Sequence, residues 1–459
     1  MIQKSRRGSA GALTYALVFA FLAGLPPALA FGEPRLEPDE RLLARNPPTH
    51  GLDAKSFAAL ALIASGAGDQ TERLEAELSS MGDELASLAE NATGGREKTE
   101  LILAFMYEKT LSRYSEFQTR LDIAIQKGEY NCVSSSVLFA YFAKRLGLET
   151  YGNETPNHSF CTVLVDGKPI DVETTNPFGF DPGNRKELPG EREGETRYLL
   201  VPKTTYRNRT KIDDRRLIAL IYNNRISMLE RSGRFEEAAG LAVDALTLQG
   251  ENAPPGEIAD RFLNYAINLS AGGDHEKALG FVERARGEFF DFPRYREFEN
   301  NTVQNAAADL VKKEEYDEAR RLLARYRLRV DPSVFKKTAV YVWAKKAETA
   351  ARGRDWLAAA AVVEEGLAEI PGDKSLQNQR NAYRDNFAVE VHNRFAAEMN
   401  RGNRARLAAF WKRALHSCPK APSSSRISLS WKRSAKAHRY FREDHGEAPS
   451  RASEAVNFY

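Results

Sequence analysis

Cysteine is scarce in this sequence: three residues in 459, Cys132, Cys161 and Cys418. No two stand at C-x-x-C spacing, which removes the common zinc and dithiol redox motifs. No P-loop and no dinucleotide fingerprint occurs, so the phosphate cradles those motifs build are missing. Metal-ligating side chains do not cluster, and no stripe of basic and aromatic residues suggests a nucleic-acid surface. The expectation is a protein with no cofactor, no metal and no nucleic-acid partner. Glycine and proline, at 31 and 20 residues, are not in excess, so most of the chain should fold. After the first thirty residues no run is long and apolar enough to span a bilayer.

Those first thirty residues stand apart. Lys4, Arg6 and Arg7 precede the apolar run "ALTYALVFAFLAGL", and "ALA" at 28–30 fits a small-x-small cleavage site. This is the pattern of a secretory signal peptide, the alternative being an uncleaved anchor. An exported, periplasmic or secreted protein is expected, with no integral membrane segment after cleavage. An odd number of cysteines in an exported chain leaves at least one thiol free. Charge is uneven. From Arg401 onward there are 13 Lys or Arg against 4 Asp or Glu, whereas residues 31 to 400 carry a net −9. The basic stretch from 418 to 459 is rich in Ser, Lys and Arg, without apolar periodicity, and poor order is expected there.

Residues 31 to 50, dense in Pro and charge, predict an extended leader. Helical periodicity covers 53 to 90, about 96 to 112, and "EFQTRLDIAIQKG". The pattern then changes. "HSFCTVLVDGKPIDVETT" places two β-like runs around Asp166-Gly167, a strong hairpin signal. "NPFGFDPGN" supplies turn residues, and "RYLLVPKTTY" is a further strand candidate. Residues 31–208 are therefore expected to form one α+β domain.

From about 213 the sequence is helical and repeats. "GRFEEA", "GDHEKA", "EEYDEA" and "RDWLAA" end on Ala238, Ala278, Ala319 and Ala359, at spacings of 40, 41 and 40 residues. Phe235, His275, Tyr316 and Trp356 stand three residues before each alanine. A near-constant period of this length predicts stacked helical hairpins, with the alanine permitting close packing and the ring filling the turn. The unit resembles the tetratricopeptide repeat. Ala245 and Ala285 follow seven residues after their repeat alanines, and Pro371 stands at a closing-proline position. The repeats are assigned to residues 213–417, with a fifth, degenerate unit at roughly 381–417.

The chemistry centres on "EYNCVSSSVLFAYFAKRLG", residues 129 to 147. Asn131 is a good N-cap, and the helix that follows is apolar on most sides. Cys132 therefore opens a buried helix, where free N–H groups stabilise a thiolate. Such a nucleophile needs a proton carrier, and His158, opening the first hairpin strand, is the candidate. If Asp166-Gly167 is a two-residue turn, Val165 pairs with Lys168 and paired positions sum to 333. Phe160 then faces Glu173, Thr162 faces Asp171, and His158 shares their face. Glu173 lies diagonal to His158 and is the better-placed orienter, with Asp171 in reserve. The same parity puts Cys161 on the other face and argues against a Cys132–Cys161 disulfide. Ser134, Ser135 and Ser136 read as small packing residues. Gln126 is the nearest upstream side-chain amide.

The stretch from Asn131 to Thr175 resembles the transglutaminase-like core of the papain-type cysteine superfamily. Cys132, Leu138, Arg145, Leu146, Gly147, His158 and Glu173-Thr174 match that family's positions, Asp171 less well in spacing. The chain departs from the pattern in having Val133 after the cysteine and a short stretch between Cys132 and His158. The resemblance implies a papain/transglutaminase-like α+β domain with a Cys-His-acid site acting on amide bonds of peptides or proteins, by hydrolysis or acyl transfer, with the repeats holding substrate or a protein partner. The alternative is a non-catalytic scaffold that binds peptides through its repeats.

Overall fold

In the computed structural model, residues 35–48, 51–183, 199 and 201–401 are described. The expected signal peptide at 1–30 and the basic tail at 418–459 lie outside them. The described chain is predominantly helical with one small antiparallel sheet, and it divides into two compact units on either side of Phe292 and Pro293. Among the described residues no helix is long and apolar enough to cross a membrane.

The first unit begins with α1 (Glu40–Arg45), α2 (Ala54–Ser65), α3 (Thr71–Leu88), α4 (Gly95–Lys109), α5 (Leu121–Lys127) and α6 (Cys132–Arg145). Asp53 caps α2, its carboxylate accepting from the Ser56 amide at 2.6 Å, and Gly66 ends the helix in the left-handed conformation. Two short parallel strands, β1 (Arg113–Tyr114) and β2 (Glu129–Tyr130), flank α5. Then come β3 (Thr150–Thr155), β4 (His158–Val165), β5 (Lys168–Val172) and β6 (Thr210–Ile212), forming a sheet in the order β5-β4-β3-β6. α6 packs on β4, and α2, α4 and α5 enclose it. Phe139 and Phe142 of α6 are fully buried.

The hairpin register is the one expected: Val165 pairs with Lys168 and Thr162 with Asp171. Asp166 and Gly167 both have positive φ, 51° and 75°, as a two-residue primed turn requires. Two expectations change. The leader contains α1, whose Leu42 is fully buried, because Asp39 and Arg35 both bond Asp244 far along the chain. The described residues of "RYLLVPKTTY" form no strand; Lys203–Tyr206 is a single 3-10 turn. The sheet instead takes β3 and β6.

The repeats divide between the units. α7 (Asp214–Arg231), α8 (Phe235–Gln249), α9 (Pro255–Ala271) and α10 (His275–Glu288) belong to the first, since α7 packs on α2 and α6 as well as on α8. The compact unit holding the sheet therefore runs past the 208/213 boundary read from composition. The second unit contains α11 (Pro293–Lys312), α12 (Tyr316–Tyr326), α13 (Pro332–Ala350), α14 (Trp356–Glu369) and α15 (Lys374–Asn400). Phe235, His275, Tyr316 and Trp356 each open the second helix of a hairpin. Ala238, Ala278, Ala319 and Ala359 are all buried one turn later. Of the fifth, degenerate unit expected at roughly 381–417, residues 381–400 lie within α15, and those after 401 lie outside the described residues.

Ala319 is fully buried where α12 meets α11 and α13. Ala319→Leu overfills that contact and should cost about 1–3 kcal/mol, read as a lower urea midpoint with an unchanged m-value. Ala324→Leu on the exposed side of the same helix should be near neutral.

Candidate active site

Asn131 sets the position of the cysteine. Its side-chain oxygen accepts from the amides of Val133 and Ser134 at 3.0 and 3.1 Å, and its carbonyl accepts from Ser135. Ser134 completes a capping box by accepting from the Asn131 amide at 2.9 Å. These bonds use the first-turn donors except the amide of Cys132 itself. The next two serines are buried and both meet the Thr174 hydroxyl, at 2.9 and 3.0 Å. Ser159 donates to the Cys132 carbonyl at 3.1 Å. Cys132 and His158 are each the first residue of their element, and this bond holds the two ends side by side.

His158 Nε2 lies 2.8 Å from Glu173 Oε2. Cys132 lies close enough to act on the same imidazole, and its interaction is among the causes that raise His158. Glu173 is only 3 % exposed, yet both oxygens are fully engaged. Oε1 accepts from the Thr175 amide and hydroxyl at 3.0 and 2.7 Å; Oε2 takes His158 and the Tyr206 hydroxyl, the latter at 2.7 Å. Burial pushes the Glu173 carboxyl up, but His158 and Thr175 outweigh it and hold it below its ordinary value. Burial pulls His158 down, and its interactions with Cys132 and Glu173 raise it to about 10.

The backbone after β5 is folded around this carboxylate. The Glu173 amide donates to the Gly179 carbonyl at 2.8 Å, and Val172 bridges Phe180. A Cβ on Gly179 would stand 1.8 Å from the Glu173 carbonyl oxygen, so no other residue fits this close approach.

The structure thus brings Cys132, His158 and Glu173 together. Asp171 lies elsewhere: it accepts from Thr162 at 2.9 Å and pairs with Arg209. Gln126 bonds Gln70 on the exposed side of α5. Cys161 is fully buried, its thiol donating to the Ser136 carbonyl at 3.4 Å and pushed up by burial. It faces α6, the side opposite Phe160, and both it and Cys132 are free thiols. Cys418 lies outside the described residues.

Two tyrosines of the site escaped the sequence reading. Tyr206 donates to Glu173 and stacks edge-on against Phe160, ring centres 5.0 Å apart. Tyr114 lies against Tyr130 beside the cysteine; burial first, then the charges of Cys132, Glu116 and Glu173, push its phenol up. Neither sits at a recognisable spacing from Cys132. Among the described residues no cluster of three or more His, Cys, Asp or Glu is arranged to hold a metal ion.

No family model matches the chain, and no curated protein matches it. Among solved structures it is similar to a crystal structure of menin that reveals the binding site for Mixed Lineage Leukemia (MLL) protein, at 10% sequence identity and a TM-score of 0.29. That match covers 74% of this chain and 89% of the other, and a likeness so low carries no argument.

The pair makes stability depend on pH in a defined direction. A raised His158 contributes stability that is complete below 6.5 and lost as pH rises through about 10. A depressed Glu173 contributes stability present above 4.5 and lost as pH falls through its lowered value. His158→Gln should therefore destabilise most between about pH 4.5 and 6.5, with the gap to wild type closing as pH rises to about 10, measured by urea unfolding. By NMR, Glu173→Gln should move the His158 titration down, because it removes two of the causes that raise it. An unmoved titration would show that the carboxylate does not act on the ring.

Proposed function

We propose that this protein is an exported, transglutaminase-like thiol enzyme of the papain type that cleaves or exchanges amide bonds in peptides or proteins. The observation that carries the reading is the His158 imidazole bonded to a buried, ionised Glu173 while the next residue, Ser159, ties the start of its strand to the Cys132 carbonyl. Cys132 is the nucleophile, opening a helix whose cap leaves its own amide unused. Its thiolate attacks the carbonyl carbon, and the C=O electron pair moves to oxygen. The oxyanion is met by the Cys132 amide and by the Tyr114 hydroxyl. His158, charged, gives its Nδ1 proton to the departing amine as the C–N bond breaks, leaving a thioester. Water, or a second amine, adds to the thioester as His158 takes back a proton, and the thiolate leaves. Glu173 keeps the imidazole charged and oriented throughout, and Tyr206 and Thr175 keep Glu173 ionised. The helical hairpins supply surface for a peptide or protein partner.

Alkylation by iodoacetamide, mapped to each cysteine by mass spectrometry, tests the pair directly. Cys132 should react at about pH 6, and His158→Ala should slow that reaction at least about tenfold. Cys161, fully buried, should stay unmodified in the native protein. If Cys132 reacts only in alkaline solution with and without His158, the enzyme reading fails and a binding role for the repeats takes its place. Given a peptide substrate, Cys132→Ala should abolish turnover. Tyr114→Phe should lower kcat by about 10- to 100-fold with KM little changed, as loss of an oxyanion donor requires.

A further inference from the structure

A cleft that neither Cys132, His158 nor Glu173 lines lies in the same unit. It has a volume of about 820 Å³ and opens between the loop preceding α5 and helices α7 and α8. Its wall is divided in character. Phe117 and Met228 are large apolar side chains left 56% and 44% exposed, and Ile123 and Leu229 lie beside them. Four arginines also line it, Arg35, Arg120, Arg225 and Arg234, against two acids, Glu236 and Glu237.

Three of those arginines are spoken for. Arg35 pairs with Asp244 at 2.7 Å, Arg120 with Asp122 at 2.6 Å, and Arg234 with Glu237 at 2.5 Å. Arg225 has no carboxylate partner among the described residues. Its Nη1 donates to the Ala64 carbonyl at the end of α2. A helix C-terminus offers about half a negative charge, and one carbonyl uses one of five guanidinium donors. Gly66 makes this approach possible: a Cβ there would stand 2.8 Å from Arg225 Nη2. Burial, and then Arg120 nearby, outweigh the surrounding anions and hold Arg225 below its ordinary value. A cation in that condition gains from an incoming anion more than a solvated arginine would.

We propose that the cleft binds a small carboxylate carrying an apolar chain, its head at Arg225 and its chain over Phe117, Ile123, Met228 and Leu229. A free short-chain acid and the carboxyl end of a peptide share this chemistry. The proposal stands independently of any chemistry at Cys132.

Calorimetric titration of the full chain with sodium octanoate provides the test. Saturable binding at one site is expected, with 1-octanol and octylamine at least about tenfold weaker because neither presents an anion to Arg225. Met228→Glu, at an exposed position that leaves folding intact, should weaken octanoate binding at least about tenfold through charge repulsion. Arg225→Gln should do the same where it folds, and the Met228 variant decides the matter where it does not. Acetyl-leucyl-leucine and its amide separate the two sources. An acid that outbinds octanoate and its own amide assigns the peptide end; octanoate outbinding the acid assigns the free acid. No saturable octanoate binding, octanol binding as tightly as octanoate, or wild-type affinity in Met228→Glu would each overturn the proposal.

Discussion

A carboxylate removed from water must be either protonated or fully solvated by protein. Glu173 takes the second course, and much of the first unit is arranged around that need. Its four hydrogen bonds come from Thr175 twice, from Tyr206 and from His158. They draw on three pieces of chain. Thr175 requires the tight turn after β5, which exists only because Gly179 lacks a Cβ. Tyr206 requires the chain to return across the sheet before β6. His158 requires β4 to begin three residues beyond the point where the end of β5, Val172, pairs with Cys161, a register set by the two-residue turn at Asp166-Gly167. An ion pair this deeply buried adds little net stability against an apolar replacement. Its evident value is to hold one imidazole charged and immobile beside a thiol.

Much of this was legible before the structure. The hairpin could be read because its turn chemistry fixes the register, and the register fixes which side chains share a face. Counting inward from Val165 and Lys168 placed Glu173 beside His158 and set Asp171 two residues further off, against Thr162, where it is found. The helix start at Cys132 was legible because Asn131 is a strong local signal. The repeat was legible because Ala238, Ala278, Ala319 and Ala359 recur at positions where nothing larger packs.

What escaped was held together at long range. β3, "TYGNET", has no apolar alternation. It occupies the middle of the sheet because Gly152 lets Ile212 and Leu217 close on it, and because buried Asn153 bonds Thr162 at 2.8 Å. α1 is six residues long, too short to show a period, and its anchors on Asp244 and Thr247 lie some two hundred positions away. Tyr206 and Tyr114 reach the site from a turn and a two-residue strand, neither of which carries a pattern. Polar contacts between distant segments leave no trace in local composition, whereas caps, turns and repeats do.

The same distinction explains why the compact unit runs beyond the boundary that composition draws. The chain becomes wholly helical near 213, but α7 is not free to leave the sheet. Asp214, in its first turn, takes Lys144 from the far end of the cysteine helix at 2.6 Å. Arg216 bridges Glu154 of β3 and Glu257 of α9, each at 2.9 Å. Arg215 reaches back to Asn46 and Pro47. α6 is thus fixed at its start by the Asn131 cap and at its end by the first helix of the repeats. A cysteine held at one end only would shift with any tilt of that helix. Held at both, its position beside His158 depends on the helical hairpins as much as on the hairpin strands.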